Sequence, residues 1–165
     1  MALTMAPHDS PSEAPMDHAI LRGYCPGDWQ AMHALDLICF EPVFRFSRGA
    51  MRSFAEAPGA VIVLAEAQRA LAGFCIAQLQ DRTGYVVTLD VAPEWRRHGL
   101  ARRLMTDVES KLLAAGAVEM HLHVFTGNTA AICIYESIGY AQAGTAENFY
   151  AQSLHAHVYR KQLDS

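Results

Sequence analysis

The chain has 165 residues, 13 basic and 17 acidic, with 52% apolar and 18% charged side chains. That length suits one domain with a real hydrophobic core, and the composition excludes wholesale disorder. The formal charge of −4 argues against a nucleic-acid-coating protein, and no apolar run approaches the roughly 20 residues a membrane helix needs.

Residues 1–17 carry Pro7, Pro11, Pro15, Ser10 and Ser12 and few large apolar groups. A mobile tail is expected there, lacking the basic start and apolar stretch of a secretory signal; the domain proper is expected over 18–165. His18–Gly23 reads as a short strand. Pro26, Gly27 and a capping Asp28 introduce a helix to about Ile38, with Trp29, Met32, Leu35 and Ile38 at three-residue steps. Phe40–Phe46 is an aromatic loop, and Ser47 caps a second short helix ending near Ala57.

Three strand-like runs follow, Ala60–Ala65, Ala70–Gln80 and Tyr85–Ala92, separated by polar breaks of the kind antiparallel hairpins need. From Gly99 the period changes: Leu100, Leu104, Val108 and Leu112 mark one face of an amphipathic helix that Gly116 stops. Val118, Met120, Leu122 and Val124 alternate with Glu119, His121 and His123 in a one-sided strand. A helix over about Asn128–Ser137, stopped by Gly139, precedes two last strands, Tyr140–Thr145 and Leu154–Lys161. The order β-α-α-β-β-β-α-β-α-β-β predicts an α/β (α+β) protein with a mixed sheet of about seven strands and about four helices. Cys25, Cys39, Cys75 and Cys133 are scattered without CxxC spacing, three of them among apolar neighbours, which reads as reduced core thiols in a cytoplasmic protein.

The segment Leu89–Ala101 carries the strongest chemical signal. A strand ends, a turn follows, and a helix opens at Gly99 and Ala101 beside Arg96, Arg97 and Arg102. The first amides of a helix lack internal acceptors and bind anions, small residues let a pyrophosphate approach them, and arginines add charge. Arg96, Gly99 and Ala101 fill the fixed positions of Arg/Gln-x-x-Gly-x-Gly/Ala, and on these residues the chain resembles the GNAT acetyltransferase superfamily. A second signature, Asn128, Ala131, Tyr135, Gly139 and Tyr140, is similar to the Asn-x-x-Ala-x-x-x-Tyr-x-x-x-Gly-Phe segment of RimI-type protein N-terminal acetyltransferases, and Asn148, Phe149 and Tyr150 resemble the Asn-Tyr-Tyr that follows it.

The resemblance implies a mostly antiparallel GNAT sheet and acetyl-CoA as cofactor, held by Leu89, Val91, Arg96, Arg97, Gly99, Ala101, Arg102, Asn128, Ala131 and Tyr135. It implies direct attack of an amine, cofactor and acceptor entering from opposite sides of a splayed sheet, and a backbone amide near Leu89–Val91 for the oxyanion. His123 matches the histidine base of NatE-type N-terminal acetyltransferases and Tyr85 its partner tyrosine; RimI-type enzymes carry Glu at the position of His123. The chemistry agrees: an imidazole titrating at about 6.5 and a peptide amine at about 8 exchange a proton near balance. The resemblance also implies that the Tyr135 hydroxyl lies beside the sulfur, where a phenol can protonate the leaving thiolate.

On the acceptor side, Phe40, Pro42 and Val43 resemble the Phe-Pro-Val loop of NatE-type enzymes, interrupted here by Glu41, with Tyr150 closing the other side. The acceptor is read as a protein or peptide N-terminus; a small amine, or a non-catalytic acyl-CoA-binding module, stands as the alternative. The same-face pairs His121 with His123 and His155 with His157 are a rival metal constellation. No carboxylate or thiolate at ligand spacing accompanies them, and no metal is assigned.

Overall fold

In the computed structural model, which describes residues 19–164, seven strands run β1 Ile20–Gly23, β2 Ala60–Ala67, β3 Ala70–Gln80, β4 Thr83–Val91, β5 Glu119–Phe125, β6 Ala141–Ala151 and β7 Leu154–Gln162. The helices are α1 Asp28–Cys39, α2 Arg48–Ala55, α3 Leu100–Ala114 and α4 Thr129–Ser137. The tail expected over 1–17 lies outside the described residues. One sheet in the order β1-β2-β3-β4-β5-β7-β6 joins all seven strands. Every neighbouring pair is antiparallel except β4 with β5. The mixed sheet and four helices anticipated from the element order are thus observed, as is the mostly antiparallel pairing that the resemblance implied.

Each face of the sheet has its own core. Helix α3 buries Leu100, Leu104, Met105, Val108 and Leu112 against Val63, Cys75, Val86, Met120 and Leu122. Across the sheet, Met32 and Leu35 of α1 and Met51 and Ala55 of α2 pack on Ile62, Leu64, Phe74 and Ile76. Helices α1 and α2 pack chiefly on β2 to β4, so the corresponding face of β5 is left partly open. That is why His121 and His123 alternate with the buried Met120, Leu122 and Val124.

Several boundaries differ from expectation for local reasons. Gly27, at φ 93°, is the N-cap of α1; Asp28 is the first helical residue, and its carboxylate accepts from Cys25 N at 2.7 Å and pairs with Arg22 at 2.7 Å. Ile38 is 65% exposed, while His33 and Asp36 are buried: three-residue steps fall about 60° short of a turn each, so Ile38 ends up opposite Trp29. Strand β4 begins at Thr83, because the turn needs only Asp81, at φ 53°, and Arg82. Strand β6 runs on to Ala151, in a hairpin with β7 whose register shifts at two places.

The break that positions the site is in β4. Ile76 pairs with Thr88 and Ala77 with Val86, leaving Val87 as an extra residue. A bulge of this kind turns the strand and switches which side chains share a face. The parallel ladder with β5 ends just there, at Val86 with Leu122. From Val87 onward β4 and β5 diverge, and the sheet opens into a cleft.

Candidate active site

On the α3 side of the cleft lies a cavity of about 460 Å³. Leu89 and Val91 of β4, Arg96, Arg97, Gly99, Ala101 and Arg102 of the turn and α3, and Asn128, Ala131 and Tyr135 of α4 all line it. All ten residues assigned to the cofactor from the sequence therefore meet in one place. Phe40, assigned to the acceptor, lines the same cavity, as do Cys39, Trp95 and Ile134. These last three carry no sequence signal for the site, because each also reads as ordinary packing.

Gly99 caps α3 at φ 77° with no side-chain cap, and Arg97 is also left-handed at φ 66°. Among the described residues no backbone carbonyl accepts from the amides of Arg97 through Arg102. A Cβ at Gly99 would meet nothing within 4 Å, so the approach to those amides is open. Six donors in succession at the positive end of a 15-residue helix form an anion cradle suited to a diphosphate. The arginines differ in freedom: Arg96 Nε donates to Val91 O at 3.0 Å, fixing the turn, and Arg102 donates to Ser137 Oγ at 2.9 Å on α4.

Asn128 caps α4, its Oδ1 accepting from Ala131 N at 3.2 Å. That cap aims Ala131, Ile134 and Tyr135 into the cavity. Tyr135 is 7% exposed, edge-on to Tyr140 at 5.8 Å between centroids. Burial pushes its phenol far up, with the nearby Cys75 thiol adding to the shift, so it stays a proton donor at neutral pH.

Across the cleft, a hydrogen bond of 2.9 Å joins Tyr85 OH to His123 Nδ1. Burial raises the Tyr85 phenol. Burial, followed by the neighbouring His121, holds His123 below its usual value, so the imidazole is neutral near pH 7. Phe149 stacks on the His123 ring at 4.2 Å with 3° between planes, fixing its orientation.

Beside this pair Phe44, Phe125 and Tyr150 form an aromatic cluster, Phe44 lying 4.9 Å from Phe125 and 5.0 Å from Tyr150. Burial pushes the Tyr150 phenol up to about 12, with Tyr85 contributing. Pro42 and Val43 sit in a 3-10 turn over Pro42–Phe44, with Val43 46% exposed. It is Phe44, rather than either of them, that faces Tyr150. Phe125 shares the strand parity of His121 and His123, a signal that could have identified it. The histidine pairs take other partners: His157 Nδ1 lies 2.9 Å from Gln142 Nε2, and His155 Nδ1 accepts from Asn148 N at 2.9 Å.

The family model described as acetyltransferase (GNAT) family matches residues 29–140, and the chain belongs to that family. In sequence it is similar to the [ribosomal protein bS18]-alanine N-acetyltransferase of Salmonella typhimurium, 34% identical over 80 residues that make up 48% of this chain and 54% of that one. The Escherichia coli protein of the same description is 32% identical over 80 residues, 48% of this chain and 54% of the relative. The chain spans about half the length of the curated relatives it matches. In fold it is similar to the crystal structure of the Escherichia coli ribosomal-protein-S18-alanine N-acetyltransferase, with a TM-score of 0.81, 21% identity, and 90% and 96% of the two chains covered. It is also similar to Arabidopsis thaliana NAA60 in complex with a bisubstrate analogue, with a TM-score of 0.77, 17% identity, and 89% and 100% covered.

Proposed function

We propose that this chain is an acetyl-CoA-dependent N-acetyltransferase whose acceptor is the N-terminal α-amine of a protein or peptide. The observation that carries the reading is the run of unpaired amides from Arg97 to Arg102, opening onto a cavity that also holds Tyr135. The residues fit the cofactor: a diphosphate on the amides, arginines around it, and small Ala131 on α4 beside a slender arm. When bound, it supplies an acetyl group activated as a thioester.

The chain's own groups do the rest. In the tautomer with the proton on Nδ1, His123 donates to the Tyr85 oxygen and leaves Nε2 free to take a proton from the attacking amine. Phe149 and Tyr85 together hold the ring in that attitude. Tyr135, kept protonated by burial, holds the proton that the departing sulfur needs. Tyr150, which feels Tyr85 and in turn acts on Tyr135, bounds the space between base and acid. No side chain forms a covalent link in this scheme, and burial pushes the Cys39 thiol, which lines the cavity, up to about 11.

An aromatic acceptor side made of Phe44, Phe125, Phe149 and Tyr150 supports a peptide over a polycationic small amine, which calls for acidic walls. The likeness to proteins named as acetylating ribosomal protein bS18 at alanine supports it too. The four cysteines are free, Cys75 buried, Cys39 half-buried, and Cys25 and Cys133 exposed rather than in the core as expected, and they support a reducing compartment such as the cytoplasm. The test is coenzyme A release with a panel of N-terminal peptides and of polyamines and aminoglycosides. Turnover confined to the small amines overturns the acceptor assignment; activity indifferent to both His123→Ala and Tyr135→Phe overturns the assigned roles.

A further inference from the structure

Behind the stretch of β4 that lines the cavity lie two carboxyl groups the proposed chemistry does not use. Asp36 of α1 and Asp90 of β4 are 0% and 1% exposed. One ionised carboxylate buried this deeply is costly, and two side by side cost more. Each has one oxygen satisfied: Asp90 Oδ1 accepts from Thr88 Oγ1 at 2.6 Å, and Asp36 Oδ2 accepts from Phe46 N at 2.9 Å. The other two oxygens, Asp36 Oδ1 and Asp90 Oδ2, have no donor among the described residues. The two carboxyls nevertheless lie close enough to act on one another, and with no donor between them two bare carboxylates would repel.

The titratable groups facing the pair are His33 and Cys39 on α1, Arg45 before α2, Cys75 on β3, Arg96 after β4 and Tyr135 on α4. The Nε atoms of Arg45 and Arg96 are spent on the carbonyls of Phe40 and Val91, and His33 Nε2 on that of Phe46. Neither free oxygen is therefore offered a hydrogen by a neighbouring group.

We propose that Asp36 and Asp90 share a single proton, resident on Asp90, and that this acid pair is a positioning device fastening the free end of β4 to α1, so that it sets the cavity wall formed by Leu89 and Val91. The location argues for it. Beyond Val86 this stretch of β4 has no β5 neighbour, and Asp90 stands between Leu89 and Val91. On α1, Cys39 follows Asp36 by three residues and donates to Val91 O at 3.4 Å. The Phe46 amide ties the aromatic loop to the same pair. Burial raises Asp36, while the Phe46 amide it accepts favours its charged form. Asp90 is enclosed, and burial, followed by the charge of Asp36, carries it well above the carboxylate range.

In the unfolded chain both groups are ionised above about pH 4, so folding takes up one proton. The unfolded state binds fewer protons, and the pair's contribution to the folding equilibrium weakens tenfold per pH unit until the native pair ionises. Above that point the two charges repel and the wall loosens. The claim on cofactor affinity rests on the reading of the cavity given above; the shared proton does not.

The test is infrared spectroscopy of the full chain labelled with 13C-aspartate at about pH 7, where an ordinary Asp is ionised. A label-sensitive band of a protonated carboxylic acid is expected in the wild type and absent from Asp90→Asn. That variant mimics the proton permanently, being a neutral donor of the same shape. It should bind acetyl-CoA, measured calorimetrically without acceptor, with the wild type's low-pH affinity at every pH, and should lose the tenfold-per-unit weakening of folding. Should it fail to fold, the wild-type band and wild-type acetyl-CoA affinity are expected to disappear over the same pH interval. No label-sensitive acid band, or a band whose loss leaves affinity unmoved, overturns the proposal. A wild type that shows the band yet binds no acetyl-CoA at any pH overturns the cavity's assignment and the positioning role, while the shared proton stands.

Discussion

Gly99→Ala separates folding from cofactor binding. A Cβ at this position meets no atom within 4 Å, so the only folding cost is holding alanine at φ 77°, about 1 kcal/mol. For a domain of this size that is a fall of roughly 2–4 °C in Tm. The strain is the same in free and bound protein and cancels from the binding constant. The methyl group, however, projects where a diphosphate must come to reach the amides of Arg97–Arg102. Losing one charge-assisted hydrogen bond costs about 1.5–3 kcal/mol, a roughly 10- to 150-fold fall in affinity. Scanning calorimetry and calorimetric titration with acetyl-CoA measure the two effects on one preparation. A variant whose Tm drops as expected while its affinity stays at the wild-type value would refute the placement of the diphosphate on this turn.

His123→Ala should lower kcat/KM by about 10²–10⁴, the usual worth of a general base, with Tyr85→Phe losing less because the imidazole remains. The active imidazole is the neutral form, and His123 is held below its ordinary 6.5; the wild-type pH profile should therefore show an acid limb below that value that is missing in His123→Ala. Tyr135→Phe should cut kcat by about 10²-fold while the KM for acetyl-CoA moves only a few-fold, as steady-state kinetics will report. Gly84→Ala should cost about 1–3 kcal/mol in denaturant unfolding, since its Cβ would stand 2.5 Å from Met120 Sδ and 2.8 Å from Leu112 Cδ1. Gly144→Ala, with nothing within 4 Å, is the control expected to unfold like the wild type.

Local signals in the chain were enough for the elements and for the cofactor side of the site. Four leucine-like positions at four-residue steps define α3, and the glycine ahead of them, left-handed at φ 77°, marks its N-terminus. The alternation from Glu119 to Phe125 sets both histidines on the face opposite α3, where α1 and α2 pack chiefly on β2 to β4. The acceptor side was less legible. Phe44 and Phe149 belong to segments where every second or third residue is aromatic, and which rings meet depends on how the Pro42–Phe44 turn and the β6–β7 hairpin fold against each other. Periodicity also misplaced Ile38, because a step of three is not a helical turn.

What no pattern in the chain announces is the bulge at Val87, and the site depends on it. With strict alternation, Val86 on the α3 side would put Thr88 and Asp90 on that side as well, lining the cavity with a hydroxyl and a carboxylate. One inserted residue reverses the parity. Leu89 and Val91 instead join Val86 against the α3 core, while Thr88 and Asp90 turn toward α1, where Asp36 meets them. The same insertion ends the ladder to β5 at Val86, which is what opens the cleft. A bulge is a property of paired strands, chosen by which register buries the most apolar area on two faces at once. Strand β4 taken alone cannot reveal it: the bulge exists only because β3 and α3 claim one set of its side chains and α1 the other.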